Sequence, residues 1–244
     1  MAERSGARNG PGHYPPPWGP TEVGLGIVAA LSLVILSVFA LAGLALLAGL
    51  PDDSLLLRYL VFATSEGCLL LVATGALLFS GAGMEALGVT PPASRLGSLG
   101  EGLAAGALLV FLTRGWTLAL ARWAPLLHER LLAEEQRQLQ FLEGPWPLLV
   151  VAALFVAPVT EELFFRGFVF GGLRSRLDFP LASALSALIF ALVHLMPVSS
   201  PPLFLVGLAT ATLYERHRSL APALTAHVTY NGIALLATFL GWWS

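Results

Sequence analysis

One stretch decides both the fold and the site of this protein: PVTEELFFRGF, residues 158–168. It places Glu161, Glu162 and Arg166 inside a run that is otherwise as apolar as a membrane span. Each ionisable side chain at the centre of a bilayer costs roughly 2.5–3.5 kcal/mol on insertion scales. Three of them together therefore need partners or a chemical task, and we expect the functional site here.

The spacing of these charges assigns them different roles. In a helix, Glu162 and Arg166 lie four residues apart on one face, with the acid N-terminal to the base, which is the favourable order for a pair. Glu161 is rotated by about 100° from Glu162 around the helix axis. We therefore predict a buried Glu162–Arg166 ion pair, with Glu161 left free as the working carboxylate.

The composition of the whole chain indicates an integral membrane protein. Of its 244 residues, 56% are hydrophobic and only 11% are charged, and the mean hydropathy is +0.77. A soluble domain of this length carries about twice that share of charge. The formal net charge of −2 gives no basic field for nucleic acid. The single cysteine, Cys68, excludes a disulfide framework within the chain and a cysteine-based metal site.

Apolar runs predict an all-α fold, a polytopic bundle of about seven transmembrane helices. The predicted spans are 23–50, 55–79, 99–123, 148–173, 181–196, 203–214 and 220–242. One further helix, 126–143, has leucines spaced among charged residues, which predicts an amphipathic helix at the membrane surface.

Three regions follow from this pattern. Residues 1–20 form a proline-rich tail that we expect to be disordered, ending at Trp18 as an interface anchor. Residues 21–143 contain the first helices and the amphipathic linker, and we expect residues 144–244, which include Glu161, Glu162 and Arg166, to form the core that carries the site. Trp242 and Trp243 are expected at the membrane interface.

The second half holds two more polar motifs inside apolar helices. Phe190 and His194 form an F-x-x-x-H motif, and His227 and Asn231 form H-x-x-x-N, which puts both of its members on one helix face. With Glu161, these residues supply a base, imidazoles that polarise a water or hold a metal, and a neutral donor for an oxyanion. That set of groups is suited to the hydrolysis of an amide bond.

The three motifs, in this order, resemble those of the CPBP intramembrane proteases, also called CAAX prenyl protease 2-like or Abi proteins. The resemblance covers about the last 100 residues. It implies a helical membrane fold around a polar cavity, and an endopeptidase acting on a membrane-associated or prenylated peptide. It also implies roles: Glu161 and His194 activate a water, His227 and Asn231 hold the oxyanion, and Glu162, Arg166 and Phe190 support them.

Two mechanisms stay open at this point. Glu161, His194 and His227 match a His₂Glu zinc set in residue type. A glutamate acting directly on water needs no metal, and we favour it because no His-Glu-x-x-His pair occurs at helical spacing. In straight spans His194 falls toward the opposite membrane face from Glu161, so helix breaks at Pro158 and Pro197 are needed to bring them together.

Two other functional classes are compatible with the sequence. One is a catalytically silent scaffold or immunity protein that binds a partner in the cavity. The other is a proton-coupled or ion-coupled transporter, whose path would use Glu66, Arg114 and Glu161 together with the histidines. The distribution of loop arginines favours a cytoplasmic N-terminus, in what we expect to be a bacterial cytoplasmic membrane. The sequence assigns no oligomeric state.

Overall fold

The computed structural model describes residues 16–51, 54–141 and 144–241, and the secondary structure within them is helical. The helices are α1 (Pro20–Leu47), α2 (Leu55–Ser80), α3 (Arg95–Trp123), α4 (Pro125–Phe141), α5 (Trp146–Arg174), α6 (Phe179–Val193), α7 (Ser200–His217) and α8 (Leu220–Phe239). A short 3₁₀ turn, Met84–Leu87, lies in the loop before α3. The all-α prediction is confirmed. Most of the predicted tail, the end of the predicted surface helix and the pair Trp242–Trp243 lie outside the described residues.

The predicted count of seven membrane spans is not confirmed. Among the described residues, α1, α2, α3 and α5 are long and apolar enough to cross a membrane. Helix α6 is apolar but has only 15 residues, about 22 Å at 1.5 Å per residue. Helix α7 ends with charged residues, and α8 carries the polar residues of the H-x-x-x-N motif. For their position in the membrane, these three helices therefore depend on packing against the surrounding protein more than on their own hydrophobicity.

Helix α5 runs without interruption through residues 158–168, and Pro158 does not break it. Instead the helix widens into π-helical turns on both sides, at Ala152–Val156 and at Leu163–Phe170. Only Ala157–Glu162 keeps α-helical geometry between them. Because π turns shift the register of a helix face and are frequent at functional sites, this segment presents its acids differently from a regular helix.

Close packing between α3 and α8 fixes the position of the H-x-x-x-N motif. Gly102 and Gly106, a small-xxx-small pair, face the backbone of α8. A Cβ atom added at Gly102 would lie 2.6 Å from the carbonyl oxygen of Pro222, and one at Gly106 would lie 2.5 Å from that of Ala226. The missing side chains therefore let α8 approach closely, one residue before His227.

Trp18 is not the interface anchor that the sequence predicts. Only 4% of its surface is exposed, and its indole N–H donates to the carbonyl oxygen of Phe168 at 3.0 Å. The ring packs 5.8 Å from that of Phe168, and it covers Gly172, where a Cβ would come within 2.6 Å of the indole. The start of α1 is thus tied to the end of α5. An aromatic residue next to a span signals a membrane interface only if no protein groove accepts it.

We expect the substitution Gly106→Ala to destabilise the protein by about 1–3 kcal/mol, because the added methyl group overpacks the contact between α3 and α8. Gly115→Ala on the same helix is the matched control, since nothing lies within 4 Å of its added Cβ. Thermal unfolding in detergent measures both. Equal melting temperatures for the two variants would contradict the close-packing account.

Candidate functional site

The predicted ion pair between Glu162 and Arg166 is present. Arg166 Nε lies 3.1 Å from Glu162 Oε2, and both side chains are 1% exposed. The second oxygen of the same carboxylate, Oε1, lies 2.8 Å from His227 Nδ1. One buried carboxylate thus joins α5 to α8 and is shared between a guanidinium and an imidazole. The sequence argument found the first partner and missed the second.

The guanidinium of Arg166 contacts residues of three helices: Glu162 on its own helix α5, Phe190 on α6 and Thr210 on α7. Its Nε and Nη2 donate to the hydroxyl of Thr210 on α7, the former at 2.7 Å. Its Cζ atom lies 4.5 Å from the ring centroid of Phe190 on α6, a cation–π distance. A buried arginine needs such contacts, because its charge cannot be removed by deprotonation. Thr210 carries no motif in the sequence, so only the structure identifies it.

His227 is oriented by Glu162 and faces Glu161. With Nδ1 donating to Glu162, the ring directs Nε2 toward Glu161 Oε2 at 3.7 Å. A carboxylate on one nitrogen fixes the tautomer and the ring orientation, as in other carboxylate–histidine pairs. Glu161 Oε2 is buried, and no hydrogen-bond donor among the described residues reaches it. This oxygen is therefore a base that no structural bond occupies.

Asn231 compensates for the proline in α5. Pro158 has no N–H, and the N–H of Ala157 bonds to the carbonyl of Ala152 in the π-helical turn, so the carbonyl of Ala153 lacks a helical donor. Asn231 Nδ2 donates to that carbonyl oxygen at 2.9 Å. Since a side-chain amide has two N–H groups, one remains available to another acceptor. The interaction places this amide on the face of α8 that packs against α5.

His194 lies at the C-terminal end of α6. Ser186 of α6 donates to the carbonyl of Phe165 at 3.0 Å, which sets the antiparallel register of α5 and α6. His194 then follows directly after the end of α6, with Nδ1 at 2.7 Å from the carbonyl oxygen of Phe190.

The Phe190 ring contacts both histidines, at centroid distances of 4.7 Å to His194 and 5.9 Å to His227. In the described part of the chain, His194 makes no hydrogen bond or ion pair with Glu161. The structure thus brings Glu161, Glu162, Arg166 and His227 into contact. It separates His194 from them by an aromatic ring.

The same geometry bears on the zinc alternative. Among the described residues, no three His, Cys, Asp or Glu side chains are grouped so that they could hold a metal ion. Glu161, His194 and His227 therefore do not form a shared ligand set in this arrangement. No step of the mechanism below uses a metal.

A second carboxylate lies near Glu161. Glu66 of α2 is 9% exposed, and it accepts a hydrogen bond from the hydroxyl of Thr160, the residue before Glu161. Glu66 thus faces the protein interior and bonds a neighbouring helix. The first half of the chain thus contributes directly to the walls of the site.

A cavity of about 560 Å³ opens beside Glu162. Apart from Thr90 and Glu162, its walls are apolar or glycine: Met84, Gly88, Val89, Pro91, Val159, Leu163, Leu220, Ala221 and Leu224. They come from the loop before α3, the middle of α5 and the start of α8. A hydrophobic group placed there would lie next to the buried carboxylate network.

Comparison with known proteins shows what this part of the chain is similar to. Residues 143–233 match the family model of Rce1-like proteins, described as type II CAAX prenyl endopeptidase Rce1-like. The matched segment contains all three motifs. It confirms, for this part of the chain, the family resemblance that the motifs predict, and the helical structure agrees with an integral membrane protein.

A particular relative is the Bacillus subtilis (strain 168) protein named "Putative membrane peptidase YdiL". It is 29% identical to this chain over 90 residues, which is 37% of each protein. The chain therefore matches little more than a third of that relative's length. No solved structure matches the chain.

Removing the guanidinium of Arg166 should lower the free energy of unfolding far more than removing an exposed guanidinium. We expect Arg166→Met to lose about 3–5 kcal/mol, because Glu162 is left as a buried unpaired charge. The double variant Glu162→Gln/Arg166→Met should recover part of that loss, since the uncompensated charge is gone. The free energy of unfolding in detergent and denaturant measures both.

Arg174→Met is the control for this pair. Arg174 bonds Glu215 at 3.1 Å, but its side chain is 34% exposed, so the expected loss is only about 0–1 kcal/mol. Similar losses for Arg166→Met and Arg174→Met would show that the buried pair is not a structural constraint.

Proposed function

We propose that this protein is an intramembrane endopeptidase that hydrolyses a peptide bond of a membrane-associated substrate with a glutamate-activated water. The observation that carries the proposal is the contrast between two adjacent acids. Glu162 is ion-paired with Arg166 at 3.1 Å and bonded to His227 at 2.8 Å, whereas Glu161 has only the imidazole of His227 nearby, at 3.7 Å, and no hydrogen bond at its buried Oε2. A free carboxylate beside an oriented imidazole is the arrangement that general base catalysis requires.

In the proposed reaction, Glu161 takes a proton from water as the water oxygen attacks the scissile carbonyl carbon. The carbonyl π electrons move onto oxygen, and the resulting oxyanion accepts a hydrogen bond from the free N–H of Asn231. His227 is proposed to donate a second one from Nε2–H as an imidazolium, because its Nδ1–H is already given to Glu162. The C–N bond then breaks, and the proton held by Glu161 passes to the leaving amine. His194 is proposed to orient the water through its Nε2, because its Nδ1 is already bonded to Phe190.

The substrate class is also a proposal. The cavity beside Glu162 has mainly apolar walls, which suits a hydrophobic side chain or a lipid anchor of the substrate bound on the Glu162 side of the site. The family description names prenyl endopeptidases, so a prenylated C-terminal peptide is the first candidate. We propose that the protein acts in a bacterial cytoplasmic membrane with its N-terminus in the cytoplasm, on the basis of the loop arginines.

The test uses the purified protein in detergent and a quenched prenyl-peptide reporter. Wild type should release fluorescence, and Glu161→Gln should lower kcat by about 10²-fold or more, the usual contribution of a positioned base. Glu129→Gln, an exposed acid on α4, is the control and should cleave at the wild-type rate. Circular dichroism and gel filtration should show all three proteins folded.

Chelator separates the two mechanisms. Because the described residues form no three-ligand group, we expect cleavage to persist in excess EDTA or 1,10-phenanthroline. Loss of cleavage that zinc restores would replace the metal-free mechanism with a metal-dependent one. Equal cleavage by wild type and Glu161→Gln would remove Glu161 from the catalytic role. Absence of cleavage, together with ion flux in vesicles that depends on Glu161, would favour the transporter.

A further inference from the structure

Glu134 is a buried acid on an otherwise exposed surface helix. Helix α4 is the amphipathic helix expected from the sequence, and its leucines are largely uncovered: Leu126, Leu127, Leu132 and Leu139 are 75%, 42%, 44% and 39% exposed. Leu131 and Glu134, by contrast, are only 2% and 6% exposed. A buried carboxylate on such a helix must have specific partners. Glu134 lies outside the segment, residues 143–233, that matches the family model.

The partners of Glu134 all lie in the loop that connects α6 to α7. Its Oε1 accepts from the N–H of Val198 at 3.1 Å. Its Oε2 accepts from both the N–H and the hydroxyl of Ser199, each at 3.0 Å. From α3, the indole of Trp116 donates to the carbonyl of Val198 at 3.0 Å. Helices α3 and α4 therefore both hold this loop: Trp116 bonds Val198, and Glu134 bonds Val198 and Ser199.

The loop itself provides no cap for the N-terminus of α7. Ser199 is the N-cap residue of α7, but its side chain makes no capping hydrogen bond to the helix. Pro201 and Pro202 follow in the first turn and have no N–H to offer. The carboxylate of Glu134 thus serves as the cap for α7, from another helix, and its negative charge lies at the positive end of that helix.

The same loop begins with His194 and contains a strained residue. Leu195, directly after His194, has φ +54°, a left-handed conformation that is unfavourable for a leucine. Its side chain is 85% exposed, so burial of that side chain does not compensate for the strain. Such a conformation persists where the surrounding structure fixes it. The loop is fixed at its far end, at Val198 and Ser199, by Glu134.

We propose that Glu134 is a positioning residue for His194: by clamping Val198 and Ser199, it holds the strained loop that orients the imidazole. This inference rests on the proposed function, since His194 acts there on the water. It extends the site beyond the matched segment, and it makes the surface helix α4 part of the site's support.

Hydrogen exchange measured by mass spectrometry tests the clamp without any substrate. In Glu134→Ala, peptides covering 194–200 should exchange at least about tenfold faster than in wild type, because two amides lose a charged acceptor. Glu129→Ala, an exposed acid on the same helix, should leave that exchange unchanged. Exchange at 194–200 that is identical in the two variants would overturn the proposal.

Kinetics with the prenyl-peptide reporter test the effect on His194. Glu134→Ala should lower kcat by up to about 10²-fold, as a misplaced catalytic group does, while KM stays within about twofold. Glu134→Gln keeps one acceptor oxygen and should lie between Glu134→Ala and wild type. A merely structural role would lower the amount of folded protein at unchanged kcat, and that result would contradict the proposal.

The exchange and kinetic experiments together distinguish a failure of this inference from a failure of the proposed function. If wild type cleaves the reporter but Glu134→Ala cleaves it equally well, the positioning role is wrong and the endopeptidase stands. If wild type does not cleave, the proposed function fails on this substrate, and the exchange arm still decides whether Glu134 clamps the loop.

Discussion

The structure depends on the carboxylate of Glu162, which is buried in the bundle between a guanidinium and an imidazole. Arg166 neutralises it from the same helix, and His227 reaches it from α8. A buried charge of this kind tolerates no loss of either partner, because the desolvation cost of the remaining charge is several kcal/mol. The helices that carry these groups are therefore fixed relative to one another by electrostatics as well as by packing.

This constraint explains why the neighbouring acid is available for chemistry. Since Glu162 satisfies both Arg166 and His227 Nδ1, Glu161 has no structural bond to make, and His227 Nε2 is directed toward it at 3.7 Å. The widened turns of α5 have a related effect. They leave the carbonyl of Ala153 without a helical donor, and Asn231 is drawn in to satisfy it. Strain in one helix thus positions a side chain of another.

The sequence predicted the parts of this site that depend on spacing within one helix. The Glu162–Arg166 pair follows from an i, i+4 register. The helical fold follows from apolar runs, because a bilayer leaves the backbone few alternatives. Contacts between helices were not predictable in the same way. The bond from Glu162 to His227 and the cap that Glu134 gives to α7 join residues more than 60 positions apart, and no local pattern specifies them.

One wrong prediction, for Trp18, and one that is not confirmed, the count of seven spans, have physical causes of the same kind. Trp18 has the composition and position of an interface anchor, but Gly172 leaves a groove that its indole fills. The count of seven spans treated each apolar run as a helix exposed to lipid. Helices α6, α7 and α8 are short or carry polar residues. Packing against the surrounding protein stabilises them where their own hydrophobicity is insufficient. The Gly102–Gly106 pair was a readable signal for the packing of α3 on α8, since small residues four apart mark close helix contacts.

The central claim is that two adjacent acids differ completely in their roles, Glu162 as a structural charge and Glu161 as a free base. Melting temperatures of Glu161→Gln and Glu162→Gln, measured side by side in the same detergent, test it most directly. The account predicts that Glu161→Gln melts close to wild type, whereas Glu162→Gln melts lower by about 10 °C, given about 2–4 °C per kcal/mol for a chain of this size. Equal shifts for the two variants, or a larger one for Glu161→Gln, would contradict it.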